Sequence, residues 1–238
     1  MSKKALIVWG GWDGHQPDLV AKRFERYLKD AGIPSDISDT LEVFKDLQKL
    51  MTYDLIVPIW TMGEIEEELV NNVSEAIAAG TGMAGCHGGM CDAFRDSVLW
   101  QFITGGNWVS HPGGDSVNFV VNIKDSSSPL VENIRDFKVS TEHYYLLTDP
   151  GNEVLATTDF PNVDWYHSTH KKVEMPVVWT KRWGLGRIYY NSLGHQDNVF
   201  DVPEAGELMR RGLLWAAQSL EAAKGKNIEH LNSKDKMF

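Results

Sequence analysis

Three histidines stand just beyond segments that read as buried strands: His15 after Ala5–Trp9, His87 after Met83–Cys86 and His195 after Arg187–Ser192. In an open α/β sheet, ligands settle beyond the carboxyl ends of the strands. Imidazoles at three such ends are therefore placed to move protons or hold an ion near neutral pH. One such histidine alone reads more readily as a surface or capping residue; the three equivalent positions together point to a site. Glu142, in Thr141-Glu142-His143-Tyr144-Tyr145, adds a carboxylate that could serve as base or ligand. On an extended segment Glu142 and His143 face opposite ways, so at most one of them reaches a shared pocket.

Cys86 offers a second chemistry. In Ala84-Gly85-Cys86-His87-Gly88 a strand-to-helix turn places the cysteine on a strained elbow above a helix N-terminus. Backbone N–H groups and the helix dipole there stabilise a thiolate or an oxyanion. With His195 as base and Asp197 as its orienting acid, the order Cys…His-x-acid is that of a nucleophile, a base and a third group. The plainer alternative is that Cys86 packs, His195 opens a loop and Asp197 caps it. A third use of the same donors is a divalent metal such as Zn2+, held by histidines and Glu142. The chain has no HExxH and no paired CxxC, and Cys86 to Cys91 is the wrong spacing for a zinc knuckle, so no cofactor and no ligand set is assigned.

The elements that must position these groups follow from periodicity. Ala5–Trp9, Asp54–Trp60 and Met83–Cys86 are short apolar runs ended by Gly or a polar loop, as strands buried on both faces are. Gln16–Ala31 and Glu64–Ala79 repeat apolar residues at helical spacing and stop at Gly32 and Gly80. A further helix is predicted over Met90–Phe102. Strand and helix alternating in this way imply right-handed crossovers and a parallel sheet. Beyond it the spacing predicts strands over Val117–Ile123, Thr141–Tyr145 and Glu153–Thr157, a loop over Asp159–Val173, and a pair, Val177–Thr180 with Arg187–Ser192, joined near Gly184. A last helix is predicted over Glu204–Ala223. The expectation is one three-layer, doubly wound α/β domain over residues 1–223 with a mostly parallel sheet, followed by a polar tail over 224–238.

Composition narrows the partners. The chain has 238 residues, 42% of them hydrophobic, and a formal net charge of −10, which argues against phosphate-backbone partners and so against nucleic acid. The apolar run after Lys4 is too short for an export signal or a membrane span. Two cysteines in a chain of this length read as thiols in a reducing, cytoplasmic compartment. Among the aromatics, Trp12 with Asp13 and His15 is placed to stack on a sugar ring. Trp9, Trp60, Trp108, Trp165 and Tyr166 read as pocket, core or subunit-interface residues, the only support for a homo-oligomer.

Taken in order, Trp9-Gly-Gly-Trp-Asp-Gly-His15, Gly82-Met-Ala-Gly-Cys-His87-Gly88, Val109-Ser-His111-Pro112, Glu142-His-Tyr144 and Ser192-Leu-Gly-His195, with a terminal helix carrying Leu-Leu-Trp215-Ala-Ala, resemble the ThuA-like (trehalose-utilisation) family from Lys3 to about Ala223. That resemblance implies a class I glutamine amidotransferase-like, flavodoxin-like fold and a link to trehalose or related disaccharide catabolism. It carries over His15, His87, His111, Glu142 and His195 as pocket residues. Cys86 instead resembles the amidotransferase nucleophile, and His195 with Asp197 resembles the His-x-Glu partners; many ThuA-like proteins have another residue at the cysteine position. The expected function is a carbohydrate-processing protein, a lyase, isomerase or hydrolase acting on a sugar or keto-sugar. The competing readings are a Cys86-His195-Asp197 thiol hydrolase and a non-catalytic sugar-binding or regulatory protein.

Overall fold

The computed structural model describes residues 3–124, 127–161 and 172–226. Its centre is a nine-stranded mixed sheet. Strand β1 (Ala5–Gly11) lies between β2 (Ser35–Ser38) and β3 (Leu55–Thr61), and β4 (Gly82–Cys86) follows β3, all parallel. Ala5 to Val8 are almost fully buried, as an apolar run in the middle of a parallel sheet must be. The helices lie on both faces. On one, Val20, Phe24 and Leu28 of α1 (Pro17–Asp30) share a core with Leu208 and Leu213 of α6 (Pro203–Ala216). On the other, Leu50 of the one-turn helix α2 (Leu47–Leu50) and Leu69, Val73 and Ile77 of α3 (Glu67–Ala79) pack in one core with Trp100 and Ile103 of α5 (Val98–Thr104). Each fully buried Leu, Ile or Phe of these seams contributes roughly 1.5–3 kcal/mol of burial free energy.

The second half of the sheet is antiparallel. After β5 (Gly106–Ser110) and β6 (Val117–Ile123) come β7 (Phe137–Thr141), β8 (Tyr145–Thr148), β9 (Glu153–Phe160), β10 (Val173–Trp183) and β11 (Gly186–Asn191). The order is β2-β1-β3-β4-β11-β10-β9-β6-β7, with β5 and β8 forming a separate pair. Strand β11 runs parallel to β4 and antiparallel to β10, so it joins the two halves. The β10–β11 turn needs Gly184: its φ is +56, and a Cβ there would lie 2.7 Å from the Ala78 backbone.

Three local expectations change, and the edge strand β2 is an element the sequence pattern does not predict. The helix expected over Met90–Phe102 is two pieces, α4 (Gly88–Cys91) and α5. Between them the chain returns to the end of β3, where Met62 N donates to Asp92 O at 2.8 Å, and Ser97 caps the new start by accepting from Trp100 N. The strand expected over Thr141–Tyr145 is interrupted: β7 ends at Thr141, β8 begins at Tyr145, and Glu142 to Tyr144 cross between them. The terminal helix stops at Ala216, and a short α7 (Ser219–Ala223) follows. Strand β2 has a half-exposed, polar Ser-Asp-Ile-Ser sequence with no apolar signature, because it sits at the sheet edge. Trp165, Tyr166, most of the expected 159–173 loop and most of the 224–238 tail lie outside the described residues.

Candidate active site

The carboxyl ends of β1, β3, β4 and β11 meet where the strand order reverses, the place at which doubly wound sheets bind ligands. Strand β1 runs into a tight turn over Asp13–His15, which swings the His15 imidazole inward. Strand β4 ends at Cys86, and the next residue, His87, makes the strand-to-helix elbow with φ 48 and ψ −136. A non-glycine residue in that region is strained by roughly 1–3 kcal/mol and must be held there by its surroundings. His87 N donates to Asn191 O at 2.7 Å, Tyr190 Oη donates to His87 O at 3.1 Å, and the Tyr144 ring stacks on the imidazole at 3.8 Å. The glycines after it are steric necessities: a Cβ at Gly88 would lie 2.7 Å from the His15 ring, and one at Gly89 would lie 2.9 Å from the Ile59 backbone. His195 follows β11 after Gly194, whose φ of +109 turns the chain back over the sheet.

The three rings converge. Their centroids are 4.7 Å apart for His15 and His87, 5.0 Å for His15 and His195, and 5.6 Å for His87 and His195. Glu142 reaches them from the β7–β8 crossing. Its Oε2 lies 3.0 Å from His87 Nε2, 3.4 Å from His195 Nδ1 and 3.9 Å from His15 Nε2, while Oε1 lies 3.7 Å from His111 Nδ1. All of the first four residues are buried. His143 turns the other way and stacks on Phe119 at 4.1 Å with ring planes 9° apart, so Glu142 alone of the pair reaches the site.

Burial dominates the electrostatics. It pushes the His87 imidazolium down to about 4, against smaller opposing effects of Glu142 and the Ser192 carbonyl. Burial also acts to raise the Glu142 carboxyl, but contacts with His15, His195 and His87 outweigh it and hold the group well below the usual carboxylate range. The cluster thus keeps its carboxylate ionised. Around it stands a more exposed rim. Trp12, 46% exposed, packs its edge on His15 at 4.7 Å. His111 stands beside Trp108, and Asp115 approaches His195 Nε2 at 4.0 Å. Asp13 is exposed on the turn below Trp12; among the described residues its carboxylate makes no hydrogen bond or ion pair with the cluster.

The thiol arrangement expected from the sequence is not formed. Cys86 is the last residue of β4 and lies below the elbow, and its sulfur faces the Gly194 turn. Burial drives its pKa far upward, which is the reverse of thiolate activation. Asp197 does not orient His195; it accepts a fork from Arg23 Nε at 2.6 Å and Nη2 at 2.7 Å. The elbow that a nucleophile would occupy carries an imidazole instead. Cys91 is a second free, buried thiol. Sequence reasoning missed Thr61, whose Oγ1 is 2.7 Å from His15 Nδ1, and the Ser192 carbonyl, 2.8 Å from His87 Nδ1. Thr61 ends a strand, and that position was its only signal; a backbone carbonyl leaves none.

A 2-1-3-4 parallel sheet carrying a polar cluster at its switch point is the flavodoxin-like, class I glutamine amidotransferase-like architecture. Within it, the chain belongs to the trehalose-utilisation family ThuA, whose model matches residues 4–216. Solved structures agree on the fold. A ThuA-like protein from Bacteroides uniformis is 18% identical, with a TM-score of 0.71 over 90% of this chain and 91% of that one. Another from Parabacteroides merdae is also 18% identical, with a TM-score of 0.70 over 91% and 90%. A cytoplasmic protein of Salmonella typhimurium is 11% identical, with a TM-score of 0.64 over 90% and 99%. No match was found among curated proteins. No described helix is long and apolar enough to cross a membrane.

Proposed function

We propose that this protein processes a disaccharide or its keto derivative, with His195 as the proton-transfer group and Glu142 as the carboxylate that orients it. One observation carries the reading: His195 Nδ1 faces buried Glu142 at 3.4 Å while Nε2 faces the rim beside Asp115. A carboxylate on one imidazole nitrogen and an open side on the other is the arrangement by which a base is held in one tautomer and its charged form is stabilised.

A keto-sugar has an acidic C–H beside its carbonyl. His195 Nε2 takes that proton, and a rim donor such as His111 gives one to the carbonyl oxygen. The resulting enediol then either regains a proton at the neighbouring carbon, an isomerisation, or returns its enol proton to the rim donor and expels the glycosidic oxygen, which leaves as an alcohol with the proton His195 took, an elimination. Trp12 supplies an apolar face for the sugar ring, and His111 and Asp115 supply polar partners for its hydroxyls. The family's trehalose-utilisation description supports a sugar as the substrate class.

The test is turnover of keto-disaccharides and their parent sugars by the wild-type protein and by His195→Ala. General acid–base groups contribute typically 10²–10⁴-fold, so His195→Ala is expected to lose roughly that factor in kcat. Unchanged turnover in His195→Ala refutes its role. Thermal stabilisation by the sugar without any turnover refutes catalysis and leaves a binding protein.

A further inference from the structure

His15, His87, Glu142 and His195 each offer one donor atom, and the four atoms lie within 4.8 Å of one another. We propose that His15 Nε2, His87 Nε2, His195 Nδ1 and Glu142 Oε2 bind one divalent transition-metal ion of the zinc type. This goes beyond the sugar reading and does not rest on it; with Nδ1 on the ion, Nε2 of His195 carries the ring proton, so in the loaded protein His195 gives a proton at the rim rather than taking one.

Three observations carry the inference. The first is spacing. Four ligands about 2.0–2.1 Å from a common tetrahedral centre stand roughly 3.3 Å from each other. The carboxylate-to-nitrogen distances here, 3.0, 3.4 and 3.9 Å, bracket that edge.

The second is tautomer arithmetic. The Ser192 carbonyl can only accept, so His87 Nδ1 carries the proton and donates to it at 2.8 Å. In the neutral ring, Nε2 then presents a lone pair to the Glu142 Oε2 lone pairs at 3.0 Å. Two acceptors at that distance need a cation between them, and a metal ion fills that place as a shared proton does. His195 Nδ1 is also buried, has no hydrogen-bond partner and faces the same oxygen, so it is free to serve as a second nitrogen donor.

The third is the outer shell. Metal-binding histidines almost always present their other ring nitrogen to an oxygen that fixes the ring. His87 has the Ser192 carbonyl and His15 has Thr61 Oγ1 at 2.7 Å, while His195 turns its other nitrogen toward Asp115 at 4.0 Å. Three nitrogens and one carboxylate oxygen select a borderline ion such as Zn2+, Co2+ or Ni2+ over Mg2+ or Ca2+, which take oxygen ligands.

The experiment strips the full-length protein with a chelator and titrates it with Zn2+, Co2+ and Mg2+ by calorimetry, with no sugar present. One equivalent of Zn2+ or Co2+ is expected to bind and Mg2+ is not. His87→Ala and Glu142→Gln are each expected to weaken Zn2+ by more than roughly 100-fold. Thr61→Val, which removes only the oxygen that orients His15, is expected to weaken it by about 10–100-fold. Zn2+ affinity unchanged by Glu142→Gln, or no binding at all, overturns the proposal. If His87→Ala fails to fold, the Co2+ absorption spectrum of the wild type substitutes, and the lack of ligand-field bands from a mixed nitrogen–oxygen site is the refuting result. Sugar turnover by the chelated and the Zn2+-loaded protein is measured separately, so failure of metal binding leaves the sugar reading to stand or fall on its own assay.

Discussion

His143 gives a prediction whose size follows from where the ring sits. It is 3% exposed, lies flat on Phe119 and has Phe160 at 4.7 Å. Burial alone lowers its pKa from 6.5 to about 4. As pH falls, the unfolded chain takes up this proton first, so the contribution to stability is complete above pH 6.5 and is lost progressively down to about 4. At pH 5 the unfolded imidazole is almost fully charged while the folded one is only about one-tenth charged. This difference corresponds to about 2 kcal/mol of stability present at pH 7.5 and missing at pH 5. The perturbation is His143→Phe, which keeps an aromatic ring between Phe119 and Phe160 and removes the titration. Urea unfolding of chelated wild type and variant at both pH values measures it, and the wild type is expected to lose about 2 kcal/mol more than the variant. Equal losses would refute the reasoning. His87, buried with a pKa also lowered to about 4, adds to the acid sensitivity of both proteins equally and cancels in the comparison.

Cys86→Ala is expected to keep sugar turnover within a few-fold, and Cys86 to label with iodoacetamide at neutral pH far more slowly than a free thiol in solution; rapid labelling at one site would contradict its burial. Asp197→Asn breaks the fork to Arg23 and is expected to cost about 1–3 kcal/mol in denaturant unfolding with the pH profile of turnover unmoved; a shifted profile would return Asp197 to the site. Gly88→Ala pushes a methyl group into His15 and Thr61 and is expected to cost about 1–3 kcal/mol and abolish the cluster's chemistry, read as a lower unfolding midpoint together with lost turnover.

Much of the fold is legible in the sequence because the parallel half is made of residues with one physical option. An apolar, β-branched run such as Ala5-Leu-Ile-Val8 can be satisfied only in the middle of a covered sheet, and Gly32 and Gly80 mark their helix ends without tertiary help. Other parts of the fold are harder to read. Strand β2 is a polar edge, and α4 and α5 separate because Asp92 and Phe94 bond back to Met62, a long-range contact that no local pattern records.

The candidate site divides along the same physical line. His15, His87 and His195 were legible because topology places every strand end of a parallel sheet on one rim, whatever the side chains do there. What each neighbour does depends on a single residue of register at the elbow. Strand β4 keeps Cys86 in its ladder, where the side chain points into the core, and releases the chain at His87, where it points to the site. A shift of one position would have turned the thiol to the site and the imidazole into the core, and the sequence Gly-Cys-His-Gly-Gly fits both outcomes. The decision comes from partners far along the chain. Asn191 and Tyr190 hold the His87 backbone, Tyr144 covers its ring, and Ser192 fixes its tautomer. The same distant segment that carries Tyr144 also delivers Glu142, so the residue that holds the imidazole at the elbow and the carboxylate that gives it a task arrive together.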